Sequence, residues 1–122
     1  MTNNEQLLAD NHQRFLDGDL DGIKATWSAD ARWFGLSAVA AGATLDRDDY
    51  FSMLASFVEA VPDYGLTVKS VTGHGEHLVV VDLDTWGTGI QPGGGITIYR
   101  VEDGQIVALW VITGGADSTA PF

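Results

Sequence analysis

Two apolar runs near the end of the chain are separated by a tight turn signal, Asp103-Gly104. The runs cover residues 96–101 and 105–113, and both are rich in isoleucine and valine. Asp-Gly between two such runs is a strong signal for a β-hairpin, because the favoured two-residue turn needs positive φ at both central positions. A hairpin joins antiparallel neighbours, so the chain is expected to contain a sheet that is at least partly antiparallel.

Helical signals come first in the chain, and most strand signals come later, joined by hairpins. Thr2 and Glu5 form a capping-box pattern that opens a helix, and Gly18 follows it as a C-terminal glycine. The predicted helices cover residues 2–17, 20–27 and 46–61, and the predicted strands cover residues 31–36, 66–72, 78–86, 96–101 and 105–113. Residues 37–44 and 87–95 are interpreted as loops. This order predicts an α+β fold with a mixed, mostly antiparallel sheet.

Length and charge limit the classes of protein and partner. The chain of 122 residues is 45% hydrophobic and is expected to form one domain, with a folded core over residues 1–113 and a tail over residues 114–122. Seventeen acidic against six basic residues give a net charge of -11, so neither nucleic acid nor a membrane is an expected partner. Cysteine, a secretory-signal pattern and a membrane-length apolar stretch are all absent, which favours a cytoplasmic location.

Three motifs resemble the nuclear transport factor 2-like superfamily, and specifically its SnoaL-like members. They are Gly-Asp-Leu-Asp-Gly-Ile23, Ala29-Asp-Ala31 and Tyr99-Arg-Val-Glu-Asp-Gly-Gln-Ile106, and the resemblance spans nearly the whole chain. It implies a cone-shaped barrel in which a curved sheet wraps around three N-terminal helices and encloses an apolar pocket. Relatives include polyketide cyclases, ketosteroid isomerase, limonene epoxide hydrolase and scytalone dehydratase, as well as noncatalytic binding proteins, so the fold alone does not fix the function.

Most catalytic positions of these relatives carry neutral residues in this chain. Asn11, Gly35 and Thr97 stand where ketosteroid isomerase has a tyrosine and two carboxyl groups. Thr97 and Val111 stand where the cyclases have a histidine and an aspartate. Of the epoxide hydrolase positions, only Asp84 keeps the family's residue type.

A pair of aspartates makes the strand over residues 78–86 the most reactive candidate in the sequence. Alternation places Asp82 and Asp84 on one face, together with Trp86, at a spacing of about 7 Å. Inside an apolar pocket, burial and mutual repulsion would raise one carboxyl pKa, leaving a neutral acid beside an anionic base. Asp84 is then the base or water activator and Asp82 the acid. The alternative is that both face solvent or a subunit interface, where aspartate discourages aggregation.

Other polar and aromatic residues are candidates for the same pocket. His12 lies on the apolar stripe of the first helix, where it is either a base beside the pocket or a hydrogen-bonded core residue. Asn11 and Tyr99 are expected to orient a substrate oxygen. The predicted substrate-binding residues also include Phe15, Trp27, Trp33, Trp86, Thr97 and Val111. His74 and His77 lie in a glycine-containing turn and are interpreted as solvated residues, so no metal site is expected.

These patterns favour a cofactor-independent acid/base enzyme that acts on a small hydrophobic polyketide- or terpenoid-like molecule. The reaction would be a cyclisation, an isomerisation, a dehydration or an epoxide opening. The alternatives are a noncatalytic binding protein that uses the same pocket, and an interaction module with a filled core. Since the sheet is apolar on both faces, a homodimer through its outer face is expected, with Trp110 in the interface.

Overall fold

The computed structural model describes residues 2–36, 42–88 and 93–113. It contains helices α1 (Asn3–Leu16), α2 (Leu20–Lys24) and α3 (Arg47–Ala60). The strands are β1 (Trp27–Gly35), β2 (Thr44–Asp46), β3 (Gly65–His74), β4 (Leu78–Trp86), β5 (Gly93–Glu102) and β6 (Gln105–Thr113). The predicted tail over residues 114–122 and most of the two predicted loops, residues 37–41 and 89–92, lie outside the described residues.

The six strands form one sheet in the order β2-β1-β6-β5-β4-β3. All neighbours are antiparallel except β1 and β6, which are parallel, so the expected α+β class and mostly antiparallel sheet are confirmed. In the described residues the sheet is open, with β2 and β3 at its edges. Helix α3 follows β1 along the chain, as the predicted bounds of the first strand and third helix required, and the short strand β2 lies between them. Closure into a cone stays a prediction.

The β5–β6 hairpin has the predicted turn. Asp103 has φ of 51° and Gly104 has φ of 76°, and Asp103 is the one non-glycine residue with positive φ in the described part of the chain. Positive φ at both positions matches the right-handed twist of the flanking strands, which explains why Asp-Gly is favoured there.

The first helix begins where its capping box predicts. The Thr2 hydroxyl accepts a hydrogen bond from Glu5 N at 3.2 Å, and Glu5 Oε1 accepts one from Thr2 N at 2.8 Å. The other carboxylate oxygen of Glu5 accepts from Gly73 N at 3.3 Å, so the same side chain also ties α1 to β3. These hydrogen bonds hold the pKa of Glu5 below its usual value.

Two predicted boundaries differ from the structure near the site. Helix α2 ends at Lys24 rather than at Trp27, because the Thr26 hydroxyl donates to the Ile23 carbonyl at 2.7 Å and the chain turns into β1. Trp27 is therefore the first residue of a strand. The short edge strand β2 lies across the boundary between the predicted loop and the predicted third helix, and its three residues carried too little pattern to be identified.

One cluster of buried residues joins the helices to the inner face of the sheet. Its fully buried members include Leu8 on α1, Tyr50 and Leu54 on α3, and Val79, Val81 and Leu83 on β4. Because side chains alternate along a strand, the neighbours of these β4 residues lie on the outer face. This alternation decides which predicted site residues reach the interior.

Candidate active site

A small cavity lies where α1, α2 and the start of α3 meet strands β1 and β5. Its volume is about 10 Å³, and it is lined by Asn11, His12, Phe15, Ile23, Trp27, Tyr50 and Tyr99. Five of these seven residues belong to the predicted site, and Ile23 and Tyr50 were not predicted as site residues. A volume of this size holds about one water-sized group, so the cavity in this conformation admits a single atom of a ligand.

Tyr50 is the centre of an aromatic stack beside the cavity. Its ring centroid is 5.0 Å from that of Trp27, at an interplanar angle of 11°, and 6.2 Å from that of Trp33, at 20°. Trp33 is buried in this stack but does not line the cavity. Tyr50 follows the acidic residues that open α3 and lies one helical turn before Leu54. The spacing of four residues between Tyr50 and Leu54 places both on one face of α3, and it was the sequence signal that Tyr50 is buried.

Three polar atoms of this stack are buried without a hydrogen-bond partner among the described residues. They are the two indole Nε1 atoms of Trp27 and Trp33 and the hydroxyl oxygen of Tyr50. Burial raises the pKa of Tyr50 well above its usual value, so its hydroxyl remains protonated. Trp27 and Tyr50 also line the cavity, so these two side chains bring hydrogen-bond donors to its wall.

His12 is held in one tautomer by its own helix. Its Nδ1 lies 2.7 Å from the Leu8 carbonyl oxygen, which only accepts hydrogen bonds, so Nδ1 carries the proton and Nε2 the lone pair. The imidazole packs edge-on against Tyr99, with ring centroids 6.5 Å apart. Burial lowers the pKa of His12, although the hydrogen bond to Leu8 raises it in part. His12 is therefore neutral near pH 7, in the form that a general base requires.

The depressed pKa of His12 predicts a loss of stability in mild acid. Below about pH 6.5 the unfolded chain binds a proton at His12 more readily than the folded protein does. The free energy of unfolding therefore decreases as the pH is lowered. The slope is at most about 1.4 kcal/mol per pH unit between the unfolded and folded pKa values. Urea unfolding at pH values between about 5 and 8 measures it. The His12→Phe variant should lack this component, and an identical slope in that variant would contradict the assignment.

Tyr99 and Asn11 both line the cavity, but they differ in the hydrogen bonds that their polar atoms make. Burial raises the pKa of Tyr99, so its hydroxyl stays neutral. Asn11 Nδ2 donates to the Thr26 hydroxyl at 2.8 Å, and Asn11 Oδ1 accepts from Arg14 at 2.7 Å. The amide of Asn11 thus fastens α1 to the end of α2, which leaves Tyr99 better placed to contact a ligand oxygen.

Thr97 and Val111 face the interior but not the cavity. They are register partners on β5 and β6, both are buried, and neither lines the cavity. They belong to the core beside the site.

The aspartate pair does not enter the pocket, contrary to the first expectation for this strand. The side chains of Asp82 and Asp84 are 43% and 52% exposed, and Lys69 Nζ lies 4.0 Å from each carboxylate. The alternation was correct, but the fully apolar set on β4 takes the inner face because desolvating two carboxylates costs far more than desolvating valine and leucine. Asp82 and Asp84 therefore do not form an enclosed acid/base pair.

Trp86 follows the aspartates to the outer face, so its prediction as a pocket wall is also wrong. It is 45% exposed and packs over Gly65 on β3, where an added methyl group would overlap the indole. The sequence could not show this because an exposed tryptophan is rarer than a buried one.

The described ranges lack two further features, a cluster of metal-ligating side chains and a membrane-spanning helix. There, no three His, Asp or Glu side chains lie close enough together to hold a metal ion. None of the helices in those ranges combines the length and the apolar character needed to cross a bilayer. The cytoplasmic location stays a prediction.

The open six-stranded sheet, with helices packed against its buried face, is the fold of the nuclear transport factor 2-like superfamily. Residues 9–109 match the SnoaL-like domain family, and the chain belongs to that family. The resemblance inferred from the three sequence motifs is confirmed.

Solved structures support the fold. The candidate polyketide cyclase IdmH from Streptomyces antibioticus is 22% identical, with a TM-score of 0.77 and coverage of 95% of each chain. AclR, a candidate hydroxylase from Streptomyces galilaeus, is 21% identical, with a TM-score of 0.73 over 89% of this chain and 86% of that one. An NTF2-like protein from Burkholderia thailandensis is 17% identical, with a TM-score of 0.78 over 93% and 92%. No curated protein matches the chain.

Proposed function

We propose that this protein is a cofactor-independent acid/base enzyme that acts on a small, neutral, hydrophobic molecule bearing a carbonyl group, of the polyketide or terpenoid type. The observation that carries the proposal is the neutral His12, with its proton fixed on Nδ1, in the same cavity as buried hydrogen-bond donors. The name of IdmH as a candidate polyketide cyclase supports the substrate class.

The proposed chemistry begins with proton abstraction from the carbon next to the carbonyl. His12 Nε2 takes this proton, and negative charge develops on the carbonyl oxygen. The Trp27 indole N–H and the Tyr99 hydroxyl stabilise that charge by hydrogen bonding in a low-dielectric site. The imidazolium then gives the proton to a different carbon of the enolate, which completes an isomerisation. In a ring closure, the enolate carbon instead forms a bond to a second carbonyl carbon of the ligand, and the imidazolium protonates the oxygen of that carbonyl, so neither reaction needs a cofactor.

The lining of the cavity favours a neutral ligand. Although the chain carries a net charge of -11, no Asp, Glu, Lys or Arg lines this cavity. An anionic ligand would be left without a counter-charge in an apolar environment, at a high desolvation cost. Coenzyme A esters and nucleotides are therefore disfavoured as substrates.

The alternative is a noncatalytic protein that binds the same class of ligand. It is favoured by Thr97 and Val111, because these core residues stand where the cyclases have their acid/base pair. Turnover separates the alternatives, since a binding protein holds the ligand without changing it.

The experiment that tests the proposal is a combined binding and turnover screen. Aryl ketones, cyclic enones and linear diketones are incubated with the protein, and binding is followed through tryptophan fluorescence while products are followed by mass spectrometry. Turnover, or deuterium incorporation next to the carbonyl in D₂O, supports the enzyme. Binding without either outcome supports the alternative, and the absence of binding to every compound overturns both.

We also propose that the outer sheet face pairs with a second copy of the chain. Trp110 stacks on Phe34 there, with ring centroids 5.6 Å apart, and Ile96 and Ile112 are 41% and 38% exposed. An apolar area of this kind on both β5 and β6 is typical of a protein interface.

Light scattering is expected to give twice the 13.0 kDa mass of one chain. The Ile112→Lys variant should give the single-chain mass, because a charge in an apolar interface loses its hydration. Leu16→Lys serves as the matched control, since Leu16 is an equally apolar exposed residue on α1, away from this face. A single-chain mass for the unaltered protein would refute the dimer.

A further inference from the structure

A second, larger concavity lies on the other side of α1. It has a volume of about 350 Å³ and is bounded by α1 and the edge strand β3. Its walls are formed mainly by Ala9, Gln13 and Leu16 from α1 and by Leu66, Val68 and Val71 from β3. None of the residues that line it is charged, and its volume falls within the range of small-molecule sites.

His12 lines both this groove and the inner cavity. It is the one residue that lines both the 10 Å³ cavity and the 350 Å³ groove in the described part of the chain. The inner cavity accepts about one water-sized atom, which is the size of a carbonyl oxygen. A ligand whose oxygen reaches the inner donors must therefore place most of its volume elsewhere, and the groove on the far side of His12 has that volume.

A β-bulge shapes the wall of the groove. Val68 pairs with Leu83 and Ser70 with Asp82, so Lys69 is an extra residue in β3. Without a bulge, Val68 and Val71 would lie on opposite faces, because they are three positions apart. The extra residue turns both valines toward the inner face and sends Lys69 toward the outer aspartates. Bulges of this kind often lie beside functional sites, where they redirect side chains.

We infer that the groove and the inner cavity are two parts of one binding site, which takes an elongated, neutral ketone. The carbonyl oxygen enters the inner cavity and the carbon next to it lies at His12. The apolar arm of the ligand extends along the groove between α1 and β3. This inference rests on the proposed function and adds a substrate class to it: carbonyl compounds with an apolar arm several carbons long.

A series of phenyl alkyl ketones, from acetophenone to octanophenone, tests the inference by affinity. Each methylene buried in the groove should strengthen binding roughly fourfold. The Gln13→Trp variant places a bulky ring in the groove and should flatten the dependence on chain length, with a smaller loss of affinity for acetophenone, which occupies less of the groove than the longer ketones. Gln6→Trp is the matched control, because both glutamines are exposed on α1 and each bonds an aspartate four residues on, but Gln6 does not line the groove.

The outcomes test the two-part site separately from the proposed function. A steep dependence on chain length in the unaltered protein and in Gln6→Trp, with a flat one in Gln13→Trp, supports the two-part site. If acetophenone binds but affinity does not rise with chain length, or rises equally in Gln13→Trp, the groove is not part of the site and the proposed function stands. If no ketone binds, both are overturned.

Discussion

Replacing His12 by phenylalanine is expected to lower turnover of a carbonyl substrate by roughly 10²- to 10⁴-fold, the usual contribution of a general base. Phenylalanine keeps a flat ring in the buried position but has no lone pair, so the base is lost with little change in packing. The rate of the unaltered protein should fall in acid as His12 becomes protonated, and burial places that fall below pH 6.5. Steady-state kinetics across the pH range measure both effects.

Asp84→Asn provides the control for the His12 variant. Asp84 was the first residue predicted to be the base, yet its side chain is 52% exposed on the outer face. Its amide variant should keep nearly full turnover and an unchanged pH profile. The assignment of His12 would be wrong if the phenylalanine variant stayed active, or if Asp84→Asn lost activity to the same extent.

Removing the ring of Tyr50 is expected to cost about 3–5 kcal/mol in the free energy of unfolding, as for other large aromatic residues replaced by alanine in a core. Tyr50 is fully buried between Trp27 and Trp33, so Tyr50→Ala leaves a void in contact with both indoles. Urea unfolding monitored by tryptophan fluorescence measures the loss.

Tyr50→Phe should behave in the opposite way. It removes a buried hydroxyl that has no hydrogen-bond partner among the described residues, so stability should stay unchanged or rise. Binding of a ketone should weaken if the hydroxyl contacts the ligand oxygen. A phenylalanine variant that loses stability as alanine does would mean that the hydroxyl has a structural partner after all.

Local signals in the sequence predicted the elements well. Asp103-Gly104 and the capping box of Thr2 and Glu5 depend on a few neighbouring residues, and the structure contains both. The short strand β2 was missed because three residues are too few to show the alternation that identifies a strand.

The residues that line the cavity were predicted only in part, and strand β4 shows the physical reason. Alternation sorts side chains into two sets, but it does not say which set faces the helices. Asp82 and Asp84 were placed with the pocket on chemical grounds, whereas the desolvation cost of carboxylates favoured the opposite orientation. His12 and Tyr99 were predicted to lie at the pocket because each is on the apolar face of its helix or strand, and both line the cavity. Tyr50 required knowledge of how α3 packs against β1, which is a tertiary contact.

The position of β6 in the sheet has a consequence for how the protein forms during synthesis. It is the last strand in chain order, yet it lies between β1 and β5 and makes the parallel pairing with β1. Until β6 has left the ribosome, β1 and β2 cannot join the β3–β4–β5 meander, because no other strand in the described ranges bridges them. We therefore expect the nascent chain to hold two separate sheet fragments at first, and Trp27 and Trp33 gain their register partners Ile106 and Leu109 only when β6 pairs with β1.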